Sequence, residues 1–161
     1  MVRQATKTDM AEIRDIYNYY VKTTTVSFEE EPVSEDEMIS RMEAKTAAGF
    51  PWLVYEEDGS VLGYAYAGRW KERSAYRYCA ETTVYVKNGL QGKGIGSALY
   101  AKLLKELRAN GLHTVMAVIT LPNEASRALH ERFGFQKSAC FKEVGYKFDR
   151  WLDVGYWELL L

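Results

Sequence analysis

Cysteine, histidine and proline are scarce in this chain, and each shortage narrows the classes of protein to which it can belong. Its 161 residues include two cysteines, two histidines and three prolines. Cys79 and Cys140 show no Cys-x-x-Cys spacing, so we interpret them as reduced thiols of a cytoplasmic protein. His113 and His130 lie too far apart in the sequence to indicate a metal site, and we expect no metal.

Long apolar runs and an excess of one charge are also missing. No segment approaches the roughly 20 apolar residues of a membrane span, and the first ten residues lack the apolar core of a signal peptide. The net charge of −1 gives no general attraction to nucleic acid or to an anionic membrane, so we expect neither as a partner. The ordinary composition, 47% hydrophobic and 27% charged, predicts one globular domain over residues 1–161.

What the chain does have is a glycine-rich loop directly before a helix. A strand over residues 82–86 leads into Gly92, Gly94 and Gly96, which let the backbone turn tightly and present N–H groups at the positive end of the helix. Such a junction is typical of a diphosphate site. A dinucleotide fingerprint needs glycine where Ser97 stands, and a P-loop needs serine or threonine where Gly94 stands. From the loop alone, an ordinary turn before a helix stays an alternative.

The rest of the chain shows the periodicities of alternating helices and strands. Two capping-box patterns, Asp9 with Glu12 and Ser34 with Glu37, predict the starts of two helices. Apolar residues at helical spacing predict a third helix that ends near Gly111. The predicted strands are residues 2–5, 52–55, 61–67, 76–86, 113–120, 141–148 and 154–160.

Two motifs resemble the signatures of a known family. Residues 91–96, Gln-Gly-Lys-Gly-Ile-Gly, resemble the Gln/Arg-x-x-Gly-x-Gly/Ala pyrophosphate loop of the GCN5-related N-acetyltransferases (GNAT). Residues 122–135 resemble the second signature, an asparagine near the start of a helix that ends in a hydrophobic-Gly-Phe turn. The resemblance implies an α+β fold, with a mixed, mostly antiparallel sheet and helices on both faces. It also implies a V-shaped splay between the central strands, residues 82–86 and 115–120, that holds acetyl-CoA.

The same resemblance implies which residues bind acetyl-CoA. The splayed strand is expected to position the pantetheine arm and to stabilise charge on the thioester oxygen through its backbone N–H groups. Asn123 is expected to contact CoA, to cap the helix that follows it, or to do both. The predicted CoA-binding residues are Val84, Tyr85, Val86, Gln91, Gly92, Lys93, Gly94, Ile95, Gly96, Ser97, Asn123 and Ser126.

Acetyl transfer to an amine requires a base, because an aliphatic ammonium is mostly protonated at pH 7. Glu81 is our candidate, since desolvation on a half-buried strand suits a carboxylate to this task, although it can also pair with an arginine or face solvent. His130 stands where many of these acetyltransferases carry a tyrosine thought to protonate the departing thiolate. We predict His130 as the second catalytic residue, with acceptor binding and a structural helix contact as equal alternatives.

A wider set of segments resembles the phosphinothricin N-acetyltransferases and their methionine sulfoximine or sulfone relatives. These segments are residues 70–76, 81–86, 121–123, 129–131, 145–147 and 151–155. The resemblance implies a homodimer that acetylates the α-amine of a small acidic or oxidised amino acid. The basic segment, residues 69–73, places cations before the strand that carries Glu81, and these suit a carboxylate and a phosphinate, although a charge run can also be a solvated loop. The predicted acceptor-binding residues are Phe28, Lys71, Glu72, Arg73, Tyr76 and His130.

Two other functions stay open at the level of sequence. The chain can be a related acetyltransferase that acts on a peptide N-terminus or a polyamine, although the basic segment counts against a polyamine. It can also be a non-catalytic module that binds acyl-CoA. The presence of Glu81 and of the basic segment argues against that module.

Overall fold

A seven-stranded sheet organises the chain, and the computed structural model describes all of residues 1–161. The strands are β1 (Val2–Gln4), β2 (Trp52–Glu57), β3 (Ser60–Arg69), β4 (Cys79–Val86), β5 (Thr114–Leu121), β6 (Gln136–Lys147) and β7 (Arg150–Leu160). They lie in the order β1-β2-β3-β4-β5-β7-β6, and β4 with β5 is the parallel pair among antiparallel ones. The mixed, mostly antiparallel sheet that the sequence resemblance implied is therefore confirmed.

Helices cover the sheet on both faces. They are α1 (Met10–Thr23), α2 (Glu35–Ala47), α3 (Ile95–Ala109) and α4 (Glu124–Arg132). Because side chains alternate along a strand, the neighbours Trp52 and Leu53 on β2 enter different cores. Trp52 packs with the apolar stripes of α1 and α2, whereas Leu53 packs with that of α3. None of the helices has the length and apolar character needed to span a membrane.

The two central strands separate part of the way along their length. β4 pairs with β5 over three residue pairs, of which Glu81 with Met116 is the last. β4 then continues against β3 as far as Val86, while β5 continues against β7 as far as Leu121. The strands therefore diverge after Glu81 and leave an open V, as the resemblance implied.

Neither of the two predicted capping boxes forms in full. The Asp9 carboxylate accepts from the backbone N–H of Thr6 at 2.7 Å, and the Glu12 carboxylate accepts from the backbone N–H of Val61 at 3.0 Å. Asp9 therefore belongs to the short 3-10 turn that precedes α1, and Glu12 ties α1 to β3. Ser34 does cap α2, since its hydroxyl accepts from the N–H three residues further on at 3.1 Å.

Three strands begin three or more residues away from their predicted starts. β4 begins at Cys79 rather than at residue 76, because Ser74–Tyr76 form a 3-10 turn. β6 begins five residues and β7 four residues earlier than predicted, at Gln136 and Arg150. β6 is an edge strand with mostly exposed side chains, so it lacks the alternating apolar pattern on which the prediction depended.

Candidate active site

The connection between β4 and α3 presents unpaired backbone donors. Gly92 and Gly94 have φ values of +80° and +83°, a conformation that glycine adopts without strain. Gly94 is the N-cap of α3, no side chain caps this helix, and its first turn contains no acidic residue. The first N–H groups of α3 are therefore available to an anion at the positive end of the helix dipole.

Gln91 holds this loop in place. Its Oε1 accepts from the N–H of Gly89 at 2.9 Å, and its Nε2 donates to the hydroxyl of Tyr20 at 3.0 Å. The Tyr20 hydroxyl donates to the carbonyl of Val86 at 2.5 Å. Tyr20 thus ties α1 to the end of β4 and to the loop, a role that its place on the apolar face of α1 did not reveal.

A cavity of about 440 Å³, which we call the CoA cavity, extends from this loop to the edge of β4. Lys93 is exposed outside its lining, and the side chain of Ile95 is buried in the core, so Ile95 can contribute only its backbone. Arg132, which the sequence did not suggest, also lines this cavity. The predicted CoA-binding residues in the lining are Val84, Tyr85, Val86, Gln91, Gly92, Gly94, Gly96, Ser97, Asn123 and Ser126.

A second cavity of about 430 Å³, which we call the acceptor cavity, adjoins the first and contains Glu81. The two cavities share residues of β4 and the start of α4, including Val84 and Asn123, so they meet where the V opens. Asn123 also caps α4, because its side-chain oxygen accepts from a backbone N–H at 3.1 Å. Burial raises the pKa of the Glu81 carboxyl, while the charges of Lys45 and Lys71 act in the opposite direction. A carboxylate in this setting is suited to take a proton from an amine.

Residues 24–33, between α1 and α2, form a lid segment over the acceptor cavity. Tyr17 of α1 contacts the Ser27 hydroxyl at 2.8 Å and donates a short hydrogen bond to the Glu29 carboxylate. Arg41 of α2 donates to both oxygens of Glu29, at 2.6 and 3.0 Å, and holds the pKa of Glu29 below its usual value. The lid segment is therefore fixed from both helices that flank it.

The β6–β7 hairpin holds the same segment from the other end of the chain. The buried Lys147 donates from Nζ to the carbonyl of Ser27 at 2.7 Å. The ring of Phe28, which lines the acceptor cavity, packs directly on Gly145. A Cβ at Gly145 would lie 2.3 Å from that ring, so glycine is required for this approach.

His130 is buried, and both of its ring nitrogens have partners. Nδ1 lies 2.7 Å from the Ser126 carbonyl, which can only accept, so we place the proton on Nδ1. Nε2 lies 2.6 Å from the hydroxyl of Tyr100, which lies 2.7 Å from the hydroxyl of Thr82. Burial lowers the pKa of His130 and favours the neutral ring. Of the three roles left open by the sequence, this geometry favours the structural contact.

The basic segment, residues 69–73, begins at the last residue of β3 and continues into the exposed connection to β4. Nζ of Lys71 lies 5.0 Å from the centre of the Trp70 ring, and the positive charge of Lys71 acts to lower the pKa of the Glu81 carboxyl. The acceptor-binding residues predicted in and after this segment all lie outside the lining of the acceptor cavity: Lys71, Glu72, Arg73 and Tyr76. Their contact with the acceptor stays a prediction.

The divided sheet, the V at its centre and the free N–H groups at the start of α3 are the features that the resemblance to the N-acetyltransferases implied, and they agree with that class of protein. The Acetyltransferase (GNAT) domain matches residues 2–155 of the chain. The chain therefore belongs to the GNAT acetyltransferase family and is an enzyme of that family.

Individual proteins resemble the chain over nearly its whole length. The phosphinothricin N-acetyltransferase of Streptomyces viridochromogenes is 46% identical over 157 residues, which cover 98% of this chain and 85% of that protein. The L-methionine sulfoximine/L-methionine sulfone acetyltransferase of Salmonella typhimurium is 41% identical over 160 residues, which cover 99% and 94%. The crystal structure of a phosphinothricin acetyltransferase from Sinorhizobium meliloti in complex with acetyl-CoA has a TM-score of 0.97 and 37% identity, and the match covers 100% of this chain and 88% of that one.

Proposed function

We propose that this enzyme transfers the acetyl group of acetyl-CoA to the α-amine of a small acidic or oxidised amino acid. Phosphinothricin and methionine sulfoximine or sulfone represent this class. The observation that carries the proposal is the position of Glu81, in the acceptor cavity and at the last residue before β4 leaves β5. Similar proteins named for these acceptors support it, as does a similar structure that holds acetyl-CoA.

In the proposed complex, the diphosphate of acetyl-CoA binds the free N–H groups at the start of α3. The pantetheine arm runs along residues 84–86, and the thioester then lies near the narrow end of the V. The free N–H groups of this strand stabilise the oxygen of the thioester as it becomes negative. Each of these contacts uses backbone atoms, and the pairing of β4 with β3 already fixes those of the strand.

The acceptor enters the adjoining cavity as an ammonium ion, and Glu81 removes one proton. The neutral nitrogen attacks the thioester carbon, so that the C–N bond forms and the C–S bond breaks. The nitrogen then loses a second proton, and the departing thiolate gains one. We assign His130 to the hydrogen-bonded connection between α4 and β4 and not to this last protonation, because both of its nitrogens are engaged.

The acid group of the acceptor requires cations near the mouth of its cavity. We propose Lys71 and Arg73 for this task, because only a 3-10 turn and two further residues separate Arg73 from β4, and the charge of Lys71 acts to lower the pKa of Glu81. Guanidinium and ammonium groups are suited to carboxylate and phosphinate oxygens. Phe28 closes the cavity from the lid segment.

The test is thiol release from acetyl-CoA with a panel of acceptors. The panel contains phosphinothricin, methionine sulfoximine, methionine sulfone, spermidine, a peptide with a free N-terminus, and a blank. Saturable turnover with the first three compounds supports the proposal. Preference for spermidine or the peptide would overturn the acceptor class, and acetyl-CoA binding without turnover on any compound would show a binding module instead.

We also propose a two-fold dimer formed through the β6–β7 hairpin. Large apolar side chains are exposed along this hairpin, and Trp151 is 64% exposed. Such a patch is typical of an interaction surface, and two-fold dimers are the commonest assemblies of identical chains. Light scattering should give twice the mass of one chain, and Trp151→Glu should give the mass of one chain. A single-chain mass for the unaltered protein would contradict the proposal.

The thiol chemistry supports a cytoplasmic location, which we also propose. Cys79 and Cys140 are both free and half-buried. Burial raises the pKa of Cys79 to about 11, so this thiol stays protonated at neutral pH. Free thiols of this kind are ordinary in a reducing compartment.

A further inference from the structure

Lys45 extends from α2 to the surface of β3 and β4, and the reaction proposed above gives it no role. Its side chain is half-buried, and its Nζ lies 5.1 Å from the centre of the Tyr66 ring. Nζ forms no ion pair and no hydrogen bond in the structure, whereas Arg41, one turn earlier on α2, is paired with two carboxylates. A half-buried ammonium that no carboxylate contacts directly is costly, so we expect a charge nearby that offsets this cost.

Gly68 provides the space that the ammonium occupies. A Cβ built on Gly68 would lie 2.5 Å from Nζ of Lys45, so Nζ stands where a side chain would otherwise begin. Gly68 is paired directly with Glu81 across β3 and β4. Directly opposite residues of antiparallel strands project to the same face, with Cβ atoms about 4.5–5.5 Å apart. The ammonium therefore lies on the face from which the Glu81 side chain projects, and beside it.

Of the two cations near Glu81, Lys45 is the half-buried one. Lys71 is the second cation, but it lies on the exposed connection after β3. Charges that are partly buried are screened less than exposed ones. The remaining titratable groups that sense the charge of Glu81 are neutral at pH 7: Tyr66 on β3, Cys79 on β4 and Tyr100 on α3.

We propose that Lys45 is a positioning residue for acetyl transfer: its ammonium is the charge partner that keeps the Glu81 carboxylate ionised and directed to the acceptor cavity. The inference rests on the proposed function, because Glu81 must be ionised before it can take a proton. Burial alone opposes that state, and a neighbouring cation restores it. Burial lowers the pKa of Lys45 and raises that of Glu81, and each charge counteracts the shift of the other.

The test is a direct titration of Glu81 in protein labelled with ¹³C at the glutamate δ-carbon. The resonance is assigned by its disappearance in Glu81→Gln. Lys45→Met keeps the apolar stem without the charge, and we expect it to raise the titration midpoint by about 0.5–1 pH unit. Lys45→Arg should retain the midpoint, and Lys105→Met, an exposed lysine on α3, is the matched control.

Gly68→Ala provides an independent variant. Its Cβ pushes the ammonium off the strand without removing the charge, so we expect a smaller rise of the Glu81 midpoint. This variant decides the question if Lys45→Met fails to fold, as judged by circular dichroism. The φ of Gly68 is not positive, so alanine brings no backbone strain of its own.

Kinetics provide the second readout. The acid limb of the kcat/KM profile should move with the midpoint in Lys45→Met, while the KM for the acceptor at alkaline pH stays the same. An unchanged midpoint overturns the inference. A raised KM without a moved midpoint also overturns it, because Lys45 would then bind the acceptor. The titration needs no acceptor, so a shifted midpoint together with no turnover on any amino acid would refute the proposed function alone.

Discussion

The CoA cavity and the acceptor cavity adjoin each other and are built by different means. The CoA cavity depends on backbone N–H groups that follow one another in the chain, at the start of α3, and on the free edge of β4. The acceptor cavity depends on side chains that come from α1, the lid segment and β4, such as Tyr17, Phe28 and Glu81. We therefore expect that substitutions in the acceptor cavity can change the acceptor without disturbing the proposed acetyl-CoA site.

Loss of the proposed base is expected to lower turnover without weakening acetyl-CoA binding, and it should give the largest effect. Glu81→Gln keeps the shape of the side chain but cannot accept a proton, so kcat should fall by about 10²–10⁴-fold. The Kd of acetyl-CoA should stay nearly unchanged, because no contact proposed for CoA involves this side chain. Steady-state kinetics and calorimetric titration measure the two quantities. Glu57→Gln, at an exposed carboxylate on β2, is the control, and an equal loss of acetyl-CoA affinity in Glu81→Gln would refute its assignment as base.

A negative charge at the start of α3 should weaken acetyl-CoA binding without changing the acceptor cavity. Ser97 lines the CoA cavity in the first turn of this helix. Ser97→Asp should weaken acetyl-CoA binding by about tenfold, because the carboxylate repels the diphosphate. The Tm should not fall, since a carboxylate in a first helical turn interacts favourably with the helix dipole. Ser97→Asn adds no charge, and comparable weakening in that variant would show that bulk and not charge is responsible.

The lid segment offers a weaker way to separate the two cavities. Gly145→Ala pushes the Phe28 ring from its place and should raise the KM of the acceptor by about threefold, a loss of order 0.7 kcal/mol. The KM of acetyl-CoA should stay the same. In a Phe28→Ala background, Gly145→Ala should have no further effect, because the clashing ring is gone. Additive effects in the double variant would contradict this explanation.

The smallest effect is expected on stability, at His130. Burial lowers the pKa of this side chain in the folded state, so the unfolded chain binds the proton more readily. The contribution of neutral His130 to the free energy of unfolding is complete above the unfolded pKa of about 6.5 and declines as the pH falls below that value. Urea unfolding between pH 7.5 and 5 should show a loss of folding free energy that His130→Gln reduces by about 0.5 kcal/mol. His113→Gln, at an exposed position, should keep the full loss, and equal slopes in the two variants would refute the prediction.

The contrast between a cavity built from consecutive backbone groups and one built from distant side chains also explains which features the sequence predicted. The role of Gly92 and Gly94 could be predicted from their immediate neighbours in the sequence, since a loop with positive φ before a helix needs glycine at those points. Glu81 was predicted as a base, and it lies in the acceptor cavity. The V itself came from the resemblance to a family, because strand periodicity does not show where two neighbouring strands stop pairing.

Contacts between distant parts of the chain escaped prediction. Lys147 reaches Ser27 across 120 positions, and the Tyr100 hydroxyl reaches His130 across 30. Neither pair shows a pattern in the sequence, because a lysine on an edge strand ordinarily faces solvent and a helical tyrosine ordinarily packs. The place of Lys45 beside Glu81 depends on the missing side chain of Gly68, which lies just beyond the strand predicted over residues 61–67.

Most sheets have two edges, and this one has a seam in its middle as well. Beyond Glu81, β4 has lost its partner on the side of β5, and nothing in the backbone joins the two halves of the sheet there. A pantetheine arm, with its own amide groups, fills that seam in the proposed complex as a substitute strand. The co-substrate would then link the two halves of the sheet by hydrogen bonds. Binding of acetyl-CoA should therefore make the enzyme more rigid, and release of CoA should make it more flexible.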